Sequence, residues 1–315
     1  MAVLTLLLPP RARLAAEAAL AQGPLASWWH RGDRADAAAP GREAALRSVF
    51  QFTGKTLPVA ALTRQLDAGD AAGAVWLRAD PAYARADMTT ARLLACGELG
   101  LSAAEAQALI QPLRPLFGDA GFPIDAPVPQ RWYLRCPPGA QLPAFSAPAE
   151  VLGDDLGRHL PTAAQGRRWR SLFNEAQILL HQHPLNAERV RRGQLPVNAL
   201  WFWGGGTLPE WVRGAVTVVL GEDVPLRALA ARAGVRAHAA EPAALAGLAA
   251  DAAALLDLAV ERDGGVLRTW IEAVAAALRD GRLSALDVRF ESGERLHVTA
   301  RQRWRFWRRL RPLPA

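Results

Sequence analysis

Short apolar runs that end at turn residues alternate with helical stripes along most of this chain. No feature constrains the fold more. Residues 2–8, Ala-Val-Leu-Thr-Leu-Leu-Leu, read as a first buried strand, stopped by Pro9 and Pro10 because proline has no N–H for a ladder. Residues 74–81 (AVWLRADP) read as a strand that stops at Pro81, and 131–136 (RWYLRC) have the aromatic content of another. Residues 197–203 (VNALWFW) are apolar at odd and even positions alike, the pattern of a central strand covered on both faces. The runs AVTVVLGED and ALLDLAVE add two more buried strands, and SALDVRFESGERLHVTA reads as a hairpin turning at Ser292-Gly293.

Between these runs lie helices. Residues 42–52 and 58–66 look helical, and residues 30–41 between the first strand and these helices read as a loop. Ser102 precedes Glu105 by three residues, the spacing of a capping box, so a helix starts there. In residues 166–184, Trp169, Leu172, Phe173, Ala176, Leu179 and Leu180 fall at i, i+3, i+4, i+7, i+10 and i+11, one stripe of an amphipathic helix. Pro184 forces His183 out of helical geometry and ends it near His181. Asn186 can then cap a short helix that Gly193 closes. Strands alternating with helices imply an α/β fold with a mixed sheet flanked by helices, in two lobes. The Pro-, Ala- and Gly-rich stretch 137–150 is the expected linker between an N-terminal lobe, 1–136, and a C-terminal lobe, 151–315.

Composition narrows the function classes. Of 37 basic residues only Lys55 is a lysine, and the net charge is +7. Six arginines and no acid lie within residues 301–311, RQRWRFWRRLR. The rest of the chain carries 31 basic and 30 acidic residues, which excludes a binder of nucleic acid over its whole surface. Within the basic segment Trp304, Phe306 and Trp307 are interleaved with the arginines. Two readings stand there: contact with nucleic acid or an anionic membrane through residues 301–315, or a last helix whose aromatics dock on the body while the arginines stay wet. Cys96 and Cys136 have no metal or disulfide spacing. Residues 2–8 lack the basic flank of a signal peptide, and Ala243–Val260 carries Asp251 and Asp257 where a membrane span could not easily hold them. A cytoplasmic protein is expected.

Chemistry-bearing residues gather in 181–209, HQHPLNAERVRRGQLPVNALWFWGGGTLP. Gly204, Gly205 and Gly206 follow a strand and can leave backbone N–H groups free for a phosphate, although neither nucleotide-binding glycine motif is present and Pro209 stands where a phosphate-binding helix would start. Arg189, with Arg191 and Arg192, offers planar forks for phosphate or carboxylate. Asn198, inside an apolar strand, needs a partner, since an unpaired amide there costs about 1–3 kcal/mol. His181 and His183, with Asp154, Asp155 and His159 upstream, form an alternative set for a divalent metal, while capping and local hydrogen bonds account for the same residues.

The run WRSLFNEAQILLHQHPLNAERVRRGQLPVNALWFWGGG, residues 169–206, resembles the hallmark segment of a bacterial family, the RpfE-type regulatory proteins, whose members are often labelled phosphoglycerate-mutase-like. WLRADPAYARAD and FPIDAPVPQRWYL are similar to the same family. The resemblance implies a regulatory protein. With the metal-binding residue of mutases absent after the first strand, a non-catalytic one with no cofactor is expected, sensing a phosphorylated or acidic metabolite or binding a regulatory protein partner. The shorter run HPLNAERVRRGQLPVN also resembles a segment near the substrate region of archaeal-type cofactor-independent phosphoglycerate mutases. That likeness implies ligand contacts for His183, Asn186, Arg189, Asn198 and Gly204–Gly206. It also implies an alternative activity, a metal-dependent mutase-like phosphotransferase or phosphatase, for which the set Asp154, His159, His181 and His183, read from the residue types alone, would hold Mn or Mg. Mutases of this type carry a metal-binding Asp just after the first strand and a Ser or Thr between two metal ions; here Pro9-Pro10 follows that strand.

Overall fold

The computed structural model describes residues 2–86, 90–162 and 166–314. The chain divides into two compact units: residues 1–53 with 210–315, and residues 54–209. The α/β class is as expected from the alternation, but the division is not where composition places it. The stretch 137–150 lies inside the second unit, and the chain crosses between units at 53/54 and 209/210. A Pro-rich stretch marks a break in regular structure, and such a break can equally be a loop laid over one core.

The first unit is built on a seven-stranded mixed sheet. Its order is Arg236–His238, Val218–Leu220, Ala253–Asp257, Ala2–Leu8, Leu283–Phe290, Arg295–Val298, Asp33–Ala35. The first five run parallel, with Ala2–Leu8 between Ala253–Asp257 and Leu283–Phe290, and the hairpin supplies the antiparallel side. Burial on both faces explains the unbroken apolar sequence of these inner strands. Leu4, Leu6, Leu8, Leu256, Leu258 and Leu286 join one core with Leu267, Trp270, Ile271 and Val274 of the helix Gly264–Arg279. Asp263 caps that helix by accepting from the N–H groups of Gly265 and Val266, satisfying donors that have no partner inside a helix. The hairpin turns through Ser292-Gly293, where Gly293 has φ +103, a conformation that favours glycine. Residues 42–52 are not one helix: the helix Arg42–Arg47 gives way to the strand Phe50–Phe52, which pairs with Val212–Gly214.

The second unit holds an antiparallel sheet with the twelve-residue strand Val75–Ala86 as its trunk. Ala199–Thr207 pairs along one edge; Arg131–Cys136 and Ala91–Cys96 share the other, and Ile124–Val128 follows. Pro81 does not end the trunk. Proline removes only a donor, and the Pro81 carbonyl still accepts from the Gly97 N–H at 2.8 Å. Ala199–Thr207 is also not a central strand, since Val75–Ala86 is its one ladder partner among the described residues. Helices Val59–Ala68 and Gly166–His181 pack on it, and burial under helices gives the two-faced apolar pattern without a second ladder. In Gly166–His181 the buried residues Trp169, Leu172, Phe173, Ala176 and Leu180 follow the expected stripe. The capping box is present, with Ser102 accepting from the Glu105 N–H and Glu105 from the Ser102 N–H.

Candidate functional site

The segment 181–209 is a clamp in which polar side chains hold backbone. His183, not Asn186, caps the helix Pro184–Arg191: its Nδ1 accepts from the Leu185 N–H at 3.3 Å, and Pro184 takes the first helical position. Asn186 lies inside that helix and is buried. Its amide donates to the carbonyls of Leu180 and Val197 at 2.7 and 2.8 Å, and its oxygen accepts from the Val197 N–H at 2.8 Å. Arg189, with 0% exposure, donates to the Leu195 and Leu99 carbonyls at 3.0 and 2.6 Å and pairs with Glu105 at 3.2 Å. Asn198 binds Ala84 twice, donating to its carbonyl and accepting from its N–H, both at 2.8 Å, as a strand neighbour would. The three glycines permit close approach. A Cβ on Gly204 would lie 2.9 Å from Val59 Cβ, and one on Gly206 2.7 Å from Pro58 Cβ, at the start of the helix Val59–Ala68. The side chains expected to meet a ligand are thus joined to one another's strands and helices.

Of the alternative metal set, only Asp154 and His159 meet, with Nε2 3.0 Å from Oδ2. The His159 hydrogen bond, with the Asp155 N–H, holds the Asp154 carboxyl below its ordinary value. Asp155 caps the short helix Leu156–His159, His183 caps its own helix, and His181 is exposed. Among the described residues no three His, Cys, Asp or Glu side chains are gathered as metal ligands.

Two constellations emerge that the sequence reading did not single out. In the second unit Arg78 makes a two-pronged pair with Asp80, at 2.8 and 2.9 Å, and the Trp203 indole donates to Asp80 at 2.6 Å. Burial pushes the Asp80 carboxyl up, and Arg78 and Trp203 counter it only in part. Arg-x-Asp on a strand puts both side chains on one face, so period two in WLRADP carried this signal.

The other lies in the first unit, beyond the carboxyl ends of the parallel strands, where open α/β sheets hold ligands. Arg42, at the start of its helix, reaches Asp257 at 2.5 and 3.0 Å, Asp223 at 2.6 Å and Glu291 at 3.9 Å. Asp257 ends the strand Ala253–Asp257, Glu291 follows Leu283–Phe290, and Asp223 follows Val218–Leu220 while capping the next helix. Burial opposes charge on Arg42, but Asp257 and Asp223 outweigh it and raise its pKa. Burial raises that of Glu291; Arg42 opposes this, and the two aspartates reinforce it. The result is an acidic centre with a cation built in. Four residues from four separate stretches form it, so no local motif announces it.

No family model matches the chain. A probable 2,3-bisphosphoglycerate-independent phosphoglycerate mutase of Geobacter sulfurreducens is 28% identical over 110 residues, 35% of this chain. The corresponding mutase of Methanosarcina mazei is 31% identical over 64 residues, 20% of this chain. The matched segments span 28% and 16% of those relatives' own lengths. Part of this chain therefore resembles phosphoglycerate mutases. Among solved structures, a cofactor-independent phosphoglycerate mutase of Thermoplasma acidophilum aligns over 94% of this chain and 89% of its own, at 16% identity and a TM-score of 0.40. The PH0037 protein of Pyrococcus horikoshii aligns over 95% and 87%, at 11% identity and 0.45. Among the described residues no helix is long and apolar enough to cross a membrane.

Proposed function

We propose that this is a phosphoglycerate-mutase-like protein whose centre beyond the carboxyl ends of the parallel strands has a resident arginine in place of a metal ion, and which acts as a regulator without mutase turnover. The mutase-like part of this reading is supported by the relatives just described. The non-catalytic part is carried by one observation: the Arg42 guanidinium lies among Asp223, Asp257 and Glu291.

The mutase resemblance implies a divalent metal, and these residues do not fit one. Two of the carboxylates already direct oxygens at Arg42 at hydrogen-bond distance, and a divalent ion in the same space would meet a fixed positive charge. The position after the first strand holds Pro9, which offers no ligand atom on its side chain. No phosphoryl-transfer step is therefore derived through a metal.

A second reading has a specific observation in its favour. The relatives' names all describe mutases, so the comparisons by themselves weigh toward a mutase-like phosphotransferase or phosphatase. Thermal unfolding with and without 3-phosphoglycerate, each with and without manganese, separates the two, run beside a turnover assay. A ligand at about 100 times its Kd adds about 2.7 kcal/mol, roughly 5–10 °C for a chain of this size. The regulatory reading expects no turnover and no shift that depends on manganese. A shift that needs both additions, with turnover, would establish the enzyme instead.

A further inference from the structure

In the basic segment 301–311 the aromatics do not dock on the body, although most of the arginines stay wet. Trp304, Phe306, Trp307 and Leu310 are 65%, 79%, 68% and 50% exposed. What fixes the segment is polar. Arg305 pairs with Asp33 and donates to the Arg31 carbonyl at 2.8 Å, while Arg308 donates to the Gly32 carbonyl at 3.1 Å. The buried Gln302 amide donates to Asp33 at 2.9 Å, and Arg31 donates to the Arg303 carbonyl at 2.9 Å. Beyond it, Leu313 is buried and its N–H reaches the Ala21 carbonyl at 2.7 Å.

Holding four large apolar side chains in water on an anchored frame is unfavourable in proportion to the apolar surface left exposed, so a partner that covers them is bound favourably. Arg301, Arg303, Arg309 and Arg311 are exposed beside them, with no carboxylate at ion-pair distance among the described residues. The partner must therefore be anionic and apolar together. An anionic lipid surface has that chemistry: tryptophan settles at its headgroup level, Phe and Leu enter the acyl boundary, and arginines meet the phosphates. Single-stranded nucleic acid fits less well. Stacked bases need parallel ring faces, whereas Phe306 and Trp307 stand at 78° to each other, and Leu310 offers no π face. Arg308 also lines a polar recess with Trp29, His30, Asp33 and Arg34, so two guanidinium groups border a space beside the segment that can take a headgroup.

From this we infer that residues 301–311 dock the protein on an anionic membrane surface, with Trp304, Phe306, Trp307 and Leu310 inserted at the interface and Arg301, Arg303, Arg309 and Arg311 paired with lipid phosphates. The inference does not depend on the proposed function. Co-sedimentation of the full chain with vesicles tests it, using phosphatidylcholine alone and phosphatidylcholine containing phosphatidylserine. Binding to the mixed vesicles and not to the neutral ones is expected. The variant W304A/F306A/W307A loses it at every salt concentration, and each of the four exposed arginines replaced by Ala weakens it roughly fivefold. Unchanged unfolding midpoints in these variants show that the fold is intact. Three results would overturn the inference: no sedimentation with either vesicle, equal sedimentation with both, or binding to a single-stranded oligonucleotide with none to vesicles. Self-association that disappears in the same variants, again without vesicle binding, would assign the surface to a second copy and overturn it as well.

Discussion

Segments 181–209 and 301–311 use the same vocabulary, arginine and tryptophan among apolar residues, and the structure treats them in opposite ways. In the first, Arg189 is fully enclosed, with Nε and Nη2 donating to the Leu195 and Leu99 carbonyls and Nη1 facing Glu105. In the second, Arg305 and Arg308 hold the frame while Trp304, Phe306 and Trp307 face water. A guanidinium on a long apolar stem can serve either end, and the available partner decides which. The Leu195 carbonyl beyond the helix Pro184–Arg191 and the Leu99 carbonyl before the helix Ala103–Ile110 draw Arg189 inward; Asp33 and the carbonyls at the end of the helix Pro24–Arg31 draw Arg305 and Arg308 down. Residue type therefore says that a segment can bind something, and the surrounding backbone says whether it has already done so.

Mutations in the two segments should separate accordingly. The largest effect is expected for Arg189→Ala, which leaves two carbonyls without their donor in a closed space and takes from Glu105 one of its two arginines: about 3–5 kcal/mol by urea or thermal unfolding. A loss below about 1 kcal/mol, with loss of a metabolite response, would turn the clamp back into a ligand site. Next comes Asn198→Ala, which strips both hydrogen bonds from Ala84 and should cost about 2–3 kcal/mol, whereas Asn198→Asp should restore the acceptor alone and recover part of it. Smallest is Arg309→Ala, expected within about 0.5 kcal/mol, since the residue is exposed and has no ion-pair partner among the described residues. A larger loss there would mean the basic segment is scaffold after all.

Acid sharpens the same contrast. Burial works against charge on Glu105, yet the Ser102 N–H, Arg192 and Arg189 hold its pKa below the ordinary 4.5. The folded state then carries fewer protons than the unfolded one. Stability from Glu105 is complete above pH 4.5 and is lost as pH falls through the lower folded value. Glu105→Gln should flatten the acid limb of a stability-pH curve; an unchanged limb would show that other carboxylates set it. Asp80, raised by burial, has the opposite sign, and its cost is relieved as pH falls.

Much of the fold was legible. Ala2–Leu8, the hairpin at Ser292-Gly293, the Ser102 capping box and the Trp169–Leu180 stripe all rest on period and on single-residue backbone chemistry, which act within a few residues. The misreadings have the same source seen from the other side. Pro81 lies within a strand because its missing donor was not needed there, and Ala199–Thr207 is apolar on both faces because helices cover it.

The sequence by itself determined the α/β class, most element types and the concentration of charge in 301–311, because each follows from neighbouring residues. Tertiary structure alone decided where the two units divide, which polar side chains were already engaged, and that Arg42, Asp223, Asp257 and Glu291 meet beyond the carboxyl ends of the parallel strands. The physical reason is separation along the chain. Arg42 and Asp257 are 215 residues apart, and no local energy term joins them until the parallel strands stack in order.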